Sequence, residues 1–172
     1  VYILLQSMSL KGKAMTERPT KDQYYLNIAR EVAHRSTCLR RHFGAIIVKN
    51  DQIISTGYAG APRGTVNCTD LGECPRLRAN IPRGERYELC RSVHAEMNAI
   101  AQAAKNGVNI NGSTLYVTAS PCWECFKVLA NAGIRRICFG EFYRNERVLE
   151  AAQQIGVEMV DLSEALTDPC VE

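Results

Sequence analysis

Apolar and polar positions in this chain follow two different periods. Tyr25, Ile28, Ala29, Val32 and Ala33 keep the i, i+3, i+4, i+7, i+8 spacing of a helix face. Thr20 and Gln23 ahead of them make a capping-box pattern, so a helix is predicted over 21–35. Two β-rich runs follow, over 44–48 and 52–56, joined by the polar Lys49-Asn50-Asp51, which predicts a hairpin. Regularity then lapses from 61 to 92, a stretch with Pro62, Pro75, Pro82 and three cysteines. An irregular segment of that length in a compact domain needs a reason, and a bound metal would supply one. Beyond it the pattern predicts a helix over 94–105 stopped by Asn106-Gly107, a strand over 114–118 and a helix over 122–132 ending at Gly133. A strand over 136–139, a helix over 146–155 ending at Gly156 and a last strand over 157–160 complete the chain. A hairpin followed by alternating helices and strands argues for an α/β fold built on one mixed sheet.

Length and composition narrow this only a little. The 172 residues suit one domain, expected over 20–165, with residues 1–19 a disordered extension and 166–172 a tail. Met8 and Met15 are both candidate starts, and the apolar run at 1–5 is too short for a signal peptide. The expected location is the cytoplasm (that of the host, if a phage encodes the chain). A net charge of +3 is too small for a general binder of nucleic acid or membrane, so neither a polynucleotide nor a membrane partner is expected.

Eight cysteines change the picture more. In a cytoplasmic chain they point to metal binding or catalysis before disulfides. His94-Ala95-Glu96 and Pro121-Cys122-Trp123-Glu124-Cys125 each open a predicted helix. One imidazole and two thiolates, from His94, Cys122 and Cys125, make a three-ligand zinc site with a fourth position open to water. Glu96 is not needed as a ligand and is placed to move the protons of that water. A lone C-x-x-C is often a structural knuckle or a redox pair, but the two halves together are the pattern of zinc-dependent nucleobase deaminases. Cys38, Cys68, Cys74 and Cys90 are left over. Four thiolates suit a second, structural Zn2+ that would pin the irregular segment. The alternative is four buried or free thiols, and His34 and His42 are substitute ligands or plain surface histidines. Cys138 reads as core and Cys170 as a free thiol of the tail.

Over about residues 21–162 the chain resembles the deoxycytidylate (dCMP) deaminases of bacteria and phages, within the cytidine deaminase superfamily. The resemblance rests on Arg35-Ser36-Thr37-Cys38, Gly44-Ala45-Ile46-Ile47-Val48, Ile54-Ser55-Thr56-Gly57-Tyr58, Val66-Asn67-Cys68, His94-Ala95-Glu96-Met97-Asn98-Ala99-Ile100, Tyr116-Val117-Thr118, Pro121-Cys122-Trp123-Glu124-Cys125 and Ala132-Gly133-Ile134. It implies a three-layer sandwich with a five-stranded mixed sheet and helices on both faces. It implies hydrolysis of dCMP to dUMP and ammonia for thymidylate synthesis, and a homo-oligomer, usually a hexamer. By the same resemblance Arg40 lies near the substrate phosphate, Tyr143 at the pocket, and backbone groups of Ala119 and Ser120 near the substrate amino group. Arg40 as a solvated charge and Tyr143 as a packed surface aromatic are the competing readings. Five arginines between 76 and 91 suggest a basic pocket rim, or simply a solvated segment. Gly57-Tyr58-Ala59-Gly60 stands where the family often has Gly-Tyr-Asn-Gly, tied to the effectors dCTP (activating) and dTTP (inhibiting) with Mg2+ at the triphosphate. Ala59 removes a donor and an acceptor from that place. The rival readings are a deaminase of free cytidine or of adenosine in transfer RNA, and a zinc module with no catalytic activity.

Overall fold

The computed structural model describes residues 18–82, 84–143 and 145–166; most of the expected extension and tail, with Cys170, lies outside them. Helix α1 (Lys21–Ala33) begins at the expected capping box: Thr20 accepts from the Gln23 backbone and Gln23 reaches back to the Thr20 N–H. Strands β1 (Gly44–Lys49) and β2 (Gln52–Tyr58) form the hairpin. Asn50 and Asp51 both take positive φ (50° and 62°), the two-residue turn whose twist matches a hairpin. The segment 61–92, read as irregular, contains three short helical turns: α2 (Cys68–Leu71), α3 (Pro75–Arg78) and a 3-10 turn at Tyr87–Leu89. Each is a single turn, too short to show a 3.6-residue period. Helix α4 (Ala95–Lys105), strand β3 (Thr114–Val117), helix α5 (Trp123–Asn131), strand β4 (Arg136–Phe139), helix α6 (Glu146–Ile155) and strand β5 (Glu158–Asp161) follow within a residue or so of their predicted bounds.

The five strands make one mixed sheet in the order β2-β1-β3-β4-β5. β1 runs antiparallel to both β2 and β3, while β3, β4 and β5 are parallel and joined through α5 and α6. Alternate residues divide the core between the two faces, as a period of two requires. Ala45, Ile47, Leu115, Val117, Ile137 and Phe139 pack with α4, α5 and α6 on one side. Ile46, Val48, Tyr116 and Cys138 pack with Tyr25 and Ala29 of α1 on the other. The three-layer architecture with helices on both faces is therefore present, and Cys138 is core, as expected.

Two glycines set how closely the helices approach. A Cβ on Gly44 would lie 2.2 Å from the Ala29 carbonyl of α1, and one on Gly57 2.3 Å from the Ala95 carbonyl of α4. At the end of the sheet where β4 and β5 begin, Arg136 holds Asp22 through two bonds of 2.8 and 2.9 Å, Tyr116 donates to the same carboxylate at 2.7 Å, and Glu158 takes the Arg136 Nε. The Arg136 hydrogen bonds hold the Asp22 carboxyl below its usual range. A depressed folded-state pKa contributes stability above the unfolded value, near 3.9, and that contribution disappears as pH falls through the folded value. Asp22→Asn is accordingly expected to lower Tm by about 3 °C at pH 7, and the gap should close below about pH 4. Thermal melts of both proteins across that range check it; a gap that stays constant with pH would mean the loss is not electrostatic.

Candidate active site

The chemistry-bearing residues gather where parallel strands β3 and β4 end and helices α4 and α5 begin, the customary position of a site in such a sheet. His94 is the N-cap of α4 and Cys122 the N-cap of α5, and neither makes a side-chain cap bond to its helix. Cys125 sits one turn further on. The two helix starts thus aim one imidazole and two sulfurs at a common point. His94 Nδ1 is 3.5 Å from Cys122 Sγ and 3.4 Å from Cys125 Sγ. Tetrahedral zinc, about 2.3 Å from sulfur and about 2.0 Å from nitrogen, separates such ligand atoms by roughly 3.5 Å, so the geometry and the donor set both fit zinc. Among the described residues this is the only group of three such side chains whose ligand atoms all lie within 4.8 Å of one another.

The protonation of the pair suits metal binding. A hydrogen bond from Cys125, helped by those from the His94 ring and the Cys125 backbone, brings the Cys122 thiol down to about 4, while the same partnership and burial push Cys125 up. Sulfurs that share a proton in this way give it up when a cation binds. Glu96, in the first turn of α4, is only 6% exposed. Burial pushes its carboxyl up and the His94 charge opposes this. A buried carboxyl this close to the ligand histidine is placed to take and return a proton.

His94, Glu96 and Cys122 open into a cavity of about 330 Å³, whose wall also includes Arg40, Ala119, Ser120 and Tyr143. The sequence-predicted substrate residues therefore share one space. Arg40 and Arg41 behave differently. Arg41 is taken by Glu141 through a two-pronged ion pair and lies over the Phe43 ring. The Arg40 Nη1 is buried and has no hydrogen-bond partner among the described residues. Ser120 exchanges hydrogen bonds with Tyr143: its hydroxyl accepts from the Tyr143 N–H at 2.7 Å and donates to the Tyr143 carbonyl at 3.0 Å. That ties the loop after β4 to the one after β3.

Cys38, Cys68, Cys74 and Cys90 line the same cavity, but their sulfurs do not close to metal-ligand separation. Burial raises the Cys68 thiol, and the other three cysteines are near enough to add to it. His34 and His42 are exposed, as surface histidines. In the 57–60 stretch, Gly57 is a packing position under α4, Tyr58 is 39% exposed, Ala59 faces the cavity and Gly60 pairs with Val93. Of the arginines at 76–91, Arg78 and Arg86 turn outward to Glu73 and Glu88, whereas Arg76 and Arg91 line the cavity. Tyr87, which no sequence pattern marked, lies against His94.

Comparison with known proteins agrees with this geometry. The profile of the cytidine and deoxycytidylate deaminase zinc-binding region matches residues 19–141. ComE operon protein 2 of Bacillus subtilis is 37% identical over 155 residues, covering 88% of this chain and 77% of that protein. The deoxycytidylate deaminase of Schizosaccharomyces pombe is 33% identical over 143 residues, covering 83% of this chain; the chain spans 44% of that relative's length. The dCMP deaminase of cyanophage S-TIM5, crystallised with dCMP and dUMP, matches with a TM-score of 0.69 at 32% identity, over 84% of this chain and 98% of that one. No helix among the described residues is long and apolar enough to cross a membrane.

Proposed function

This chain belongs to the cytidine and deoxycytidylate deaminase family, and from that membership we propose that it hydrolyses the 4-amino group of dCMP, yielding dUMP and ammonia. The observation that carries the choice of a nucleotide is the buried, unpartnered Nη1 of Arg40 on the wall that also holds His94 and Glu96. A buried guanidinium nitrogen without an acceptor is costly, and a phosphate oxygen is the acceptor a guanidinium fits best.

His94, Cys122 and Cys125 would hold zinc, which when bound supplies a Lewis acid and water made acidic near neutral pH. Glu96 accepts a proton from the attacking water and gives it to ring N3 as oxygen adds to C4. It then carries the second water proton to the amino group. The C4–N bond breaks, ammonia leaves neutral, and the new carbonyl remains on the ring. The Ser120 N–H is already bound to the Glu141 carbonyl at 2.8 Å, so the carbonyls of residues 119–120 are the groups suited to the donor hydrogens of the substrate amine. Tyr143, tied to Ser120, closes the same wall.

The same reading extends to a homohexamer in the cytoplasm and to a second Zn2+ on Cys38, Cys68, Cys74 and Cys90, which share one cavity but whose sulfurs would have to draw together to hold it. It includes regulation by dCTP and dTTP with Mg2+ around residues 57–60. The test is ammonia release by the zinc-loaded chain from dCMP, deoxycytidine, cytidine and dCTP, with dCTP and dTTP also added to the dCMP reaction. Turnover of dCMP is expected, and Arg40→Met should lower kcat/KM for dCMP by about a hundredfold while changing that for deoxycytidine little. Equal losses on both substrates would remove Arg40 from the phosphate site; preference for cytidine would discard the nucleotide reading.

A further inference from the structure

Two side chains of the cysteine-rich segment reach the catalytic centre without being ligands of it. A metal-bound imidazole is ordinarily fixed by a hydrogen bond from its second ring nitrogen to a carboxylate or carbonyl. Among the described residues the only hydrogen-bond contacts of the His94 ring are those of Nδ1 with the two sulfurs. What holds the ring is Tyr87, whose own ring meets it edge to face with centroids 4.9 Å apart and planes at 83°. The Arg76 guanidinium lies over the Tyr87 ring, 4.8 Å from its centroid. Arg76 is only 6% exposed, gives Nη2 to the Pro82 carbonyl at 3.1 Å, and has no hydrogen-bond partner for Nε.

So sparse a set of partners for a buried charge calls for something else to offset it. The Tyr87 ring face is what meets it, so guanidinium and ring hold each other in place behind the His94 imidazole. Building on the zinc-deaminase reading, we propose that Tyr87 and Arg76 are positioning residues for the catalytic metal centre. Tyr87 fixes the tilt of the His94 imidazole toward the sulfurs, and Arg76 clamps Tyr87 from behind. Because both come from the 61–92 segment, the order of that segment governs the affinity of the catalytic site for its metal.

The experiment measures zinc affinity of the full chain by chelator competition, together with the visible absorption of the cobalt(II) form. Tyr87→Phe keeps the ring and should stay within about twofold of the parent. Tyr87→Leu and Arg76→Met should each weaken zinc binding by about tenfold or more and shift the cobalt bands, with Arg76→Lys recovering part of the loss. In turnover, kcat should fall while KM changes little. Should Tyr87→Leu not fold, Arg76→Met decides, since it keeps an apolar stem of similar length. Parent-like affinity and cobalt spectra in the folded variants would overturn the proposal. A parent chain that takes up no zinc would overturn both readings. Zinc effects as stated, without any turnover of dCMP, would support the positioning role and sink only the substrate.

Discussion

Glu96→Gln is expected to reduce turnover of dCMP by about 10³-fold while zinc content and Tm stay near those of the parent. The substitution keeps shape and volume, which matters for a residue only 6% exposed in the first turn of α4. What it removes is the ability to accept and return a proton. Glutamine can still hydrogen-bond, so a site that needed only a polar group there would lose little. The reaction asks one group to take both protons of the water and deliver them in succession, to N3 and to the amine, and no second carboxylate among the described residues lines that cavity. Single-turnover rates with matched zinc loading make the comparison. Activity within tenfold of the parent would place proton transfer elsewhere and leave Glu96 a structural acid.

The other large effect concerns stability. Gly57→Ala should cost about 3 kcal/mol and lower Tm by about 10 °C. The added Cβ would stand 2.3 Å from both the Ala95 carbonyl and the Ala99 nitrogen, backbone atoms of a helix that cannot turn aside. Helix α4 would have to lift off β2, taking His94 and Glu96 with it. Denaturant unfolding measures the loss, and zinc affinity should fall with it. This separates two roles for the same glycine. If Gly57 served only an effector, Gly57→Ala would melt like the parent and lose only its response to dCTP or dTTP.

Much of this fold was legible because each element advertises itself locally. The Thr20–Gln23 box, the glycines after helices α5 and α6 and the β-rich run at 44–48 are short-range signals, and the structure follows them closely. Sheet order is not local, and periodicity could not have put β1 between β2 and β3. Sequence placed the His94, Cys122, Cys125 and Glu96 set because those ligand spacings are dictated by a helix start. It could not see Tyr87 or Arg76, whose roles arise from a ring meeting a ring across a segment of single helical turns. Nor could it tell Arg40 from Arg41: adjacent and alike in sequence, they differ because Glu141, a hundred residues on, reaches only one.

The helix starts at His94 and Cys122 also carry a cost. A serine, threonine or aspartate at either N-cap would bond the first free backbone amides and stabilise the helix by about 1 kcal/mol. Both positions are given to residues that make no such bond. The opening turns of α4 and α5 are thereby left without the side-chain bonds that would hold them against local opening in the absence of a cation. A bound ion, by gripping both turns, would act as a shared lock. Amide hydrogen exchange there would then slow together on metal uptake, so that one ion couples the breathing of two helices far apart in sequence.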